Sequence, residues 1–310
     1  MDVTVLIVTY NSAGTIGECL TSLQAQIGVQ CEVIVIDNAS TDGTTEVVRK
    51  WGGGLRLLAN KENIGFGRAN NQGFADGSGH YLYLLNPDAR LTQSNALGKL
   101  KAALEQHPDW GMAGTKVISA GGRREGKPAN AYPGQSRVHR DFSKLPGQIA
   151  WVSGASMFFR RQVFASLGGF DPDFFLYNEE TDLCLRLREK GYVIGYVDTV
   201  EVTHIGGVSE RANDPHQTAL RRLAGLHLFW QKHYSKEDMI HLARVDQLRA
   251  AFRMLGHGLL ATLRPAGSPS RRKRQYYRAL WISSSDFLKL LREGKRTHSA
   301  GSDSVVSRQF

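Results

Sequence analysis

The feature that most constrains the fold is a series of short apolar segments, each followed by polar residues and then by a helical pattern. The first, Val3–Val8, is rich in β-branched residues and is typical of a strand buried on both faces. A second buried strand is predicted at Val33–Ile36, and two more strands are predicted at Leu55–Leu58 and Tyr81–Leu85. Their alternation with helical spacing predicts an α/β chain whose single sheet is doubly wound, mostly parallel and flanked by helices.

The positive charge of the chain is concentrated towards its C-terminal end. Residues 236–310 hold 15 Lys and Arg against 6 Asp and Glu, whereas residues 1–235 hold 24 against 23. No run approaches the roughly 18 apolar residues of a membrane span, and Met1 and Asp2 lead into an apolar run without a basic leader. The three cysteines are an odd number and are typical of buried, reduced thiols. We therefore expect a cytoplasmic protein.

Polar side chains stand directly after the predicted strands, among them Tyr10, Asp37 and Asp88. Ligands of an open α/β sheet bind beyond the carboxyl ends of its strands, so we expect these residues to lie close together. Tyr10 offers a ring on which a nucleotide base could stack. Asp37 could accept a hydrogen bond from the imide N–H of a pyrimidine. The alternative for Asp37 is a turn-forming role, which is common for this residue type.

Asp88 and His204 are the candidate metal ligands. Asp88 closes the sequence Leu85-Asn86-Pro87-Asp88, and one or two carboxylates with substrate phosphates are a usual ligand set for Mg²⁺ or Mn²⁺. His204 follows another short strand pattern and could complete the site with Asp88. The alternatives are a Pro-Asp turn and a purely structural histidine.

Three acids open a predicted helix at Glu179, Glu180 and Asp182. Acids are electrostatically favoured at a helix start, so a structural role is the alternative interpretation. Helical spacing places Glu179 on one face with Asp182 and Arg186, and Glu180 on the face of Leu183, which should point inward. Burial raises the pKa of a carboxylate, so the spacing favours Glu180 as a general base.

Eight short segments of the chain form an ordered set of motifs. They are Val8–Asn11, Val35–Thr44, Asn63–Gly73, Leu84–Asp88, Gly154, Gly168–Asp171, Glu179–Arg186 and Val202–His204. Together they resemble glycosyltransferase family 2, the inverting enzymes of GT-A fold, and in particular its bacterial rhamnosyltransferase-like branch. The resemblance covers residues 3–234. The sequence departs from the family pattern at two positions. Asn86 replaces the first Asp of the family's metal-binding Asp-x-Asp motif, and Glu180 stands where Asp is more usual.

The resemblance implies an inverting transfer of a sugar from a nucleotide diphosphate donor, with Mg²⁺ or Mn²⁺ held at Asp88 and His204. It implies Glu180 as the catalytic base, with Glu179 and Asp182 as alternatives. The residues that it implies in nucleotide binding are Thr9, Tyr10, Asn11, Asp37, Asn63, Arg68 and Asn86.

The resemblance and the charge distribution together predict the organisation of the chain. Residues 1–235 are predicted to form a GT-A catalytic domain, with a nucleotide-binding half at about 1–118 and an acceptor half at about 150–235. A basic amphipathic helical extension is predicted in 236–298, and a disordered tail in 299–310. Residues 119–148 are rich in Gly, Pro, Arg and Ser, which predicts a mobile loop.

The favoured interpretation is a hexosyltransferase that moves rhamnose from dTDP-rhamnose to a saccharide or lipid-linked acceptor in bacterial surface polysaccharide synthesis. Two alternatives stay open. A non-catalytic nucleotide-sugar-binding module would be expected to lack the acids, yet Asp88 and Glu180 are present. A sugar nucleotidyltransferase would need a Gly-rich phosphate loop after the first strand, where Thr9–Gly14 offers a single Gly. No nucleic-acid partner is expected.

The basic extension carries apolar residues at helical spacing among arginines. The first set is Leu248, Phe252, Leu255, Leu259 and Leu263, and the second is Tyr276, Tyr277, Leu280, Trp281, Phe287 and Leu288. Basic residues beside apolar faces suit helices that lie on an anionic membrane surface, so we expect a peripheral protein on the inner face of the cell membrane. The alternative is a helical lid whose apolar stripe packs on the catalytic domain.

Overall fold

The computed structural model describes residues 1–52, 54–119, 121, 128–206, 214–262 and 269–297; for 257–262 and 269–272 it describes the backbone only. The predicted tail at 299–310, Leu263 and the side chain of Leu259 therefore lie outside the described residues. The chain divides into two compact units. The first comprises Met1–Tyr132, Ser143–Phe175 and Glu179–Ser209, and the second comprises Pro133–Phe142, Leu176–Asn178 and Glu210–Phe310.

The first unit is built on one eight-stranded sheet. Its strands are β1 (Val3–Thr9), β2 (Cys31–Asp37), β3 (Arg56–Ala59), β4 (Tyr81–Leu85), β5 (Ala89–Leu91), β6 (Trp110–Ser119), β7 (Ser156–Arg160) and β8 (Val193–His204). They lie in the order β3-β2-β1-β4-β7-β6-β8-β5. The strands β3, β2, β1 and β4 are parallel, as are β6 and β8, whereas β7 is antiparallel to both of its neighbours and β5 to β8. The sheet is thus mixed, and its first half has the predicted parallel arrangement.

Helices cover both faces of this sheet. They are α1 (Ile16–Gln24), α2 (Thr44–Trp51), α3 (Phe66–Asp76), α4 (Ala96–Gln106), α5 (Arg161–Ser166) and α6 (Glu179–Glu189). Along β1, Val5 and Ile7 join a core cluster with residues of α1, α2 and α4, while Leu6 joins a second cluster with residues of α3, α5 and α6. Because successive side chains of a strand point to opposite faces, a continuous apolar run serves both layers. The doubly wound arrangement is confirmed.

In the segment predicted as a mobile loop, 119–148, Ser119 is the last residue of β6, and the described residues that follow it are largely irregular. Residues 128–148 contain a 3-10 turn at Gln135–Arg137. In the first unit, the buried Arg188 donates to the carbonyls of Pro146 (2.9 Å) and Gly147 (2.8 Å). In the second unit, Trp230 Nε1 and Tyr234 Oη donate to the carbonyl of Pro133 at 3.2 and 2.8 Å. Side-chain hydrogen bonds from Arg188, Trp230 and Tyr234 thus hold several backbone carbonyls within residues 128–148.

The second unit is helical, with α7 (Pro215–His233), α8 (Lys236–Thr262) and α9 (Pro269–Arg292). Its core includes Leu223 of α7, Ala250 of α8 and Leu280 of α9. Phe287 and Leu288 of α9 are buried as well. The described residues 236–262 and 269–292 of the predicted extension are helical, and the same unit also contains α7, which precedes residue 236. Within the described part of the chain, no helix combines the length and the apolar character that crossing a bilayer requires.

A buried histidine makes the stability of this unit depend on pH. The ring of His227 stacks on Phe287, with centroids 4.2 Å apart, and its Nε2 has no hydrogen-bond partner among the described residues. Burial lowers the pKa of His227 from 6.5 to about 3. The unfolded state therefore binds a proton first as the pH falls below 6.5, and the folded state loses about 1.4 kcal/mol of stability per pH unit down to about pH 3.

We expect His227→Phe to remove this dependence while keeping the ring stack. The test is urea denaturation between pH 7 and pH 4.5, followed by tryptophan fluorescence, for the wild type and the variant. The matched control is His241→Phe, which changes an exposed histidine of α8. The wild type and the control should lose stability more steeply than His227→Phe. Equal slopes for all three proteins would contradict the buried, neutral state of His227.

Candidate active site

The turns after β1 and β2 are joined through the carboxylate of Asp37. Thr9 Oγ1 donates to Asp37 Oδ1 at 2.8 Å, and the backbone N–H and the hydroxyl of Ser40 donate to Asp37 at 2.9 and 2.5 Å. The side chain of Asp37 is buried. The turn-forming role that the sequence left open is therefore present, and it fixes the orientation of the carboxylate.

Asn11 strengthens the same junction. Its N–H donates to Ser40 Oγ at 2.8 Å, and its Oδ1 accepts from the N–H of Thr41 at 2.9 Å. Asn11 and Ala39 have φ angles of 51° and 61°, in the left-handed region that non-glycine residues rarely adopt. Such strain persists only where the surroundings hold it, and it is often found at functional sites. Beside this rigid junction lies Tyr10, which is 41% exposed.

A third loop attaches to the end of β2 and carries Asn63 and Arg68. Asn38 Nδ2 donates to the carbonyl of Gly65 at 3.2 Å, and Asn63 Oδ1 accepts from the N–H of Gly65 at 3.0 Å. Gly65 has φ 90°, and a Cβ there would lie 2.6 Å from the carbonyl oxygen of Phe175, so only glycine fits. The exposed Arg68 donates through Nε to the carbonyl of Pro172 at 2.7 Å. Asn63 thus shapes the loop.

The link between β4 and β5 meets the end of β8 at His204. Ala89 pairs with His204 in the sheet, and the N–H of Ile205 donates to the carbonyl of Asp88 at 3.0 Å. This pairing places His204 Nε2 3.2 Å from Asp88 Oδ1 and 3.4 Å from Asn86 Nδ2. Residues separated by more than 110 positions thus form one cluster, as the sequence predicted for Asp88 and His204.

This cluster has the ligand types that a divalent cation uses. The described residues contain no group of three or more His, Cys, Asp and Glu that could hold a metal. Mg²⁺ and related ions, however, are often bound by one or two protein ligands, with substrate phosphates and water completing the shell. Asp88 and His204 could supply that partial set. A cavity of about 240 Å³ lies beside Asp88 and is also lined by Thr15 and Arg90, which the sequence analysis did not identify.

The three acids of α6 have different surroundings. Asp182 is buried and accepts from Arg186 Nε at 2.7 Å. Glu179 is 5% exposed, and its Oε2 has no hydrogen-bond partner in the described part of the chain. Burial, followed by the charges of Glu180 and Asp182, raises the pKa of Glu179 well above 4.5. Glu180 is half-buried and lies beside Gly154. A Cβ added at Gly154 would be 3.7 Å from the Cβ of Glu180.

The helix-face prediction for these acids is partly wrong. Leu183 is buried as predicted, but Glu179 and Asp182, which the spacing placed on the other face with Arg186, are more buried than Glu180. The reason for Asp182 is its partner: Arg186 also donates to the carbonyls of Leu167 and Gly169, both at 2.9 Å, and so covers this side of α6. Among the three acids, Glu180 is the one that solvent reaches most readily.

Comparison with known proteins places this geometry in a family. The sequence model described as Glycosyl transferase family 2 matches residues 4–168. An N-acetylglucosaminyl-diphospho-decaprenol L-rhamnosyltransferase of Mycobacterium tuberculosis is 28% identical over 232 residues, which is 64% of this chain and 75% of the relative. An O-antigen chain rhamnosyltransferase of Salmonella anatum is 24% identical over 208 residues, which is 65% of each chain.

Solved structures share the fold. A mannosyltransferase from Pyrobaculum calidifontis in complex with GDP-mannose and Mn²⁺ has a TM-score of 0.54 and 21% identity, covering 97% of this chain and 76% of that one. Residues 1–349 of TarS from Staphylococcus aureus in complex with UDP-GlcNAc have a TM-score of 0.55 and 17% identity, covering 95% and 93%. The family match spans more than half of the chain and the sheet has the arrangement of the GT-A neighbours; the chain is therefore a glycosyltransferase and belongs to glycosyltransferase family 2.

Proposed function

We propose that this chain is a metal-dependent, inverting hexosyltransferase that moves L-rhamnose from dTDP-rhamnose to a saccharide or lipid-linked acceptor in bacterial surface polysaccharide synthesis. The observation that carries the proposal is the cluster of Asn86, Asp88 and His204 at the end of β4. The choice of sugar is supported by two relatives that are named rhamnosyltransferases.

The base of the donor would lie at the junction of the first two turns. A carboxylate has about four lone-pair sites, and Thr9 and Ser40 supply three donors to Asp37. One acceptor site remains for the imide N–H of a pyrimidine, while the exposed ring of Tyr10 can stack on the base. Asn11 holds this arrangement, and we assign Asn63, Arg68 and Asn86 to the same nucleotide site.

We assign Asp88 and His204 as the ligands of Mg²⁺ or Mn²⁺. Their carboxylate and imidazole are suitable ligands, and the diphosphate of the donor would provide further oxygens. A bound ion supplies positive charge against the charge that develops on the departing diphosphate. Asn86 Nδ2 lies 3.4 Å from His204 Nε2, so binding of the ion by that nitrogen would replace this contact.

Glu180 is assigned as the catalytic base. It takes the proton of the acceptor hydroxyl, the hydroxyl oxygen attacks the anomeric carbon, and the bond from that carbon to the diphosphate oxygen breaks with inversion. Its two neighbours are engaged otherwise. Asp182 is paired with Arg186, and the raised pKa of Glu179 favours its neutral form, which limits repulsion of the Glu180 carboxylate.

The organisation of the chain follows the same proposal. Residues 1–235 would hold the donor and the acceptor, and the helical extension at 236–298 would attach the enzyme to the cytoplasmic side of the membrane. A lipid-linked acceptor requires such a location, because its reacting sugar lies at the bilayer surface. The Mycobacterium tuberculosis relative, whose name specifies a diphospho-decaprenol substrate, supports this assignment.

The donor is tested by thermal shift and product formation with three nucleotide sugars. We expect dTDP-rhamnose with Mn²⁺ to stabilise the protein most, by about 2.7 kcal/mol at a donor concentration 100 times its Kd. The two comparison donors are GDP-mannose and UDP-GlcNAc, which are bound in the structural neighbours. Rhamnose transfer to a lipid-linked N-acetylglucosamine acceptor should accompany the shift. Binding without transfer would indicate a non-catalytic module, and preference for another donor would overturn the choice of sugar.

A further inference from the structure

Helix α8 has large apolar side chains on the face that is exposed. Leu248, Phe252 and Leu255 are 72%, 80% and 73% exposed. Their spacing of four and three residues places them on one side of the helix. Ala243 and Ala250, on the opposite side, are fully buried. A helix that only packs on its neighbours needs a single apolar stripe, so α8 has one apolar stripe more than folding requires.

The described side chains of helix α9 form no such stripe, although the sequence predicted the same role for both helices. Its Leu280, Phe287 and Leu288 are buried, which is the lid-like packing that the sequence left open. Among its described side chains, the exposed large apolar ones are Tyr276, Trp281 and Ile282. At 3.6 residues per turn these three lie roughly 100° or more apart around the helix, so they form no common face.

Arginines flank the exposed stripe of α8. Between Met239 and Gly256 the exposed residues of the helix include Arg244, Arg249 and Arg253 and no acid. Helical geometry places Arg249 about 60° beyond Phe252 at one edge of the stripe and Arg253 about 40° further round, while Arg244 lies about 20° from Leu255 at the other edge, near its start. Long basic side chains on both sides of an apolar stripe can reach lipid headgroups while the stripe enters the acyl region.

We propose that this outer face of α8 binds an anionic lipid bilayer, with Leu248, Phe252 and Leu255 inserted at the boundary of headgroups and acyl chains. The arginines then contact lipid phosphates. The inference rests on the proposed peripheral attachment and assigns it to one face of one helix. A second copy of the chain fits this face less well, because a two-fold contact would bring the same arginines together without exposed acids on the face to pair with them.

The test is flotation of the full chain with phosphatidylcholine vesicles and with vesicles of equal phosphatidylcholine and phosphatidylglycerol. We expect the wild type to bind the anionic vesicles at low salt, and Phe252→Glu with Leu255→Glu to lower the partition coefficient about tenfold or more. The matched control is Ile27→Glu, which puts the same charge at an apolar residue of the first unit that is 64% exposed. It should bind like the wild type. Arg249→Gln with Arg253→Gln should weaken the preference for anionic vesicles and its salt dependence.

Wild-type-like binding by the glutamate variant would overturn the inference. The inference would also be overturned if light scattering showed a wild-type dimer that the glutamate variant dissociates while flotation stays unchanged. The face would then be an interface between two copies of the chain. Transfer of the donor sugar to a short, soluble acceptor separates this inference from the proposed function. That transfer should be unchanged in the glutamate variant. If the wild type shows no transfer at all, the proposed function fails, whereas the flotation result still decides the role of this face.

Discussion

Glu180→Gln should lower kcat by roughly 100-fold or more while donor binding stays unchanged. The amide keeps the shape of the side chain but cannot take a proton from the acceptor hydroxyl. Glu180 is the most accessible of the three acids of α6, and its side chain lies beside Gly154. The measurements are single-turnover transfer and the thermal shift with donor and Mn²⁺.

The neighbouring acids provide matched controls of the same chemistry. The raised pKa of Glu179 means that Gln resembles its neutral form, so Glu179→Gln should retain most of the activity. It should also gain stability over the wild type as the pH rises above 4.5, because it removes a buried group that resists ionisation. Asp182→Asn should mainly lower the melting temperature, since it weakens the buried pair with Arg186. An inactive Glu179→Gln beside an active Glu180→Gln would show that the base was assigned to the wrong acid.

The first half of the sheet could be predicted from the sequence because its signals are local. Strands such as β1 and β4 are continuous apolar runs, and each is fully buried. Strand β6 was missed because long-range packing determines its composition. A Cβ at Gly111 would lie 2.9 Å from Tyr192, and one at Gly114 would lie 2.7 Å from Val152. These close contacts require small residues, which interrupt the apolar pattern that marks a strand.

The candidate site shows the same limit. The sequence placed polar residues at strand ends, and the sheet brings Asp88 and His204 together through the pairing of β5 with β8. The burial of Asp182 could not be predicted from helical spacing alone, because Arg186, which covers it, is held by the carbonyls of Leu167 and Gly169. The difference between α8, whose apolar stripe is exposed, and α9, whose apolar residues are largely buried, has a similar cause. Both carry apolar residues at helical spacing, and only tertiary packing determines which stripe is covered.

Asp88→Ala should reduce metal-dependent transfer by about 10²- to 10³-fold, the range seen when one group that stabilises developing charge is removed. Asp88 is the only acid of its triplet, because Asn86 occupies the first position. The remaining protein ligand would be His204, whose imidazole lies 3.2 Å from the lost carboxylate. The measurements are transfer rates over a Mn²⁺ titration and Mn²⁺ binding in the presence of the donor nucleotide.

Two further variants make this result specific. His204→Gln should weaken Mn²⁺ binding and transfer less than Asp88→Ala, because the anionic ligand remains and a neutral one is lost. Asp198→Ala removes an exposed acid from the same strand as His204 and should leave both unchanged. Near-normal transfer by Asp88→Ala in Mn²⁺ would remove Asp88 from the metal site. Only a metal ligand at the donor diphosphate should change both the Mn²⁺ dependence and the rate of transfer. An equal loss of activity in Asp198→Ala would therefore show that Asp88→Ala acts through general charge or folding.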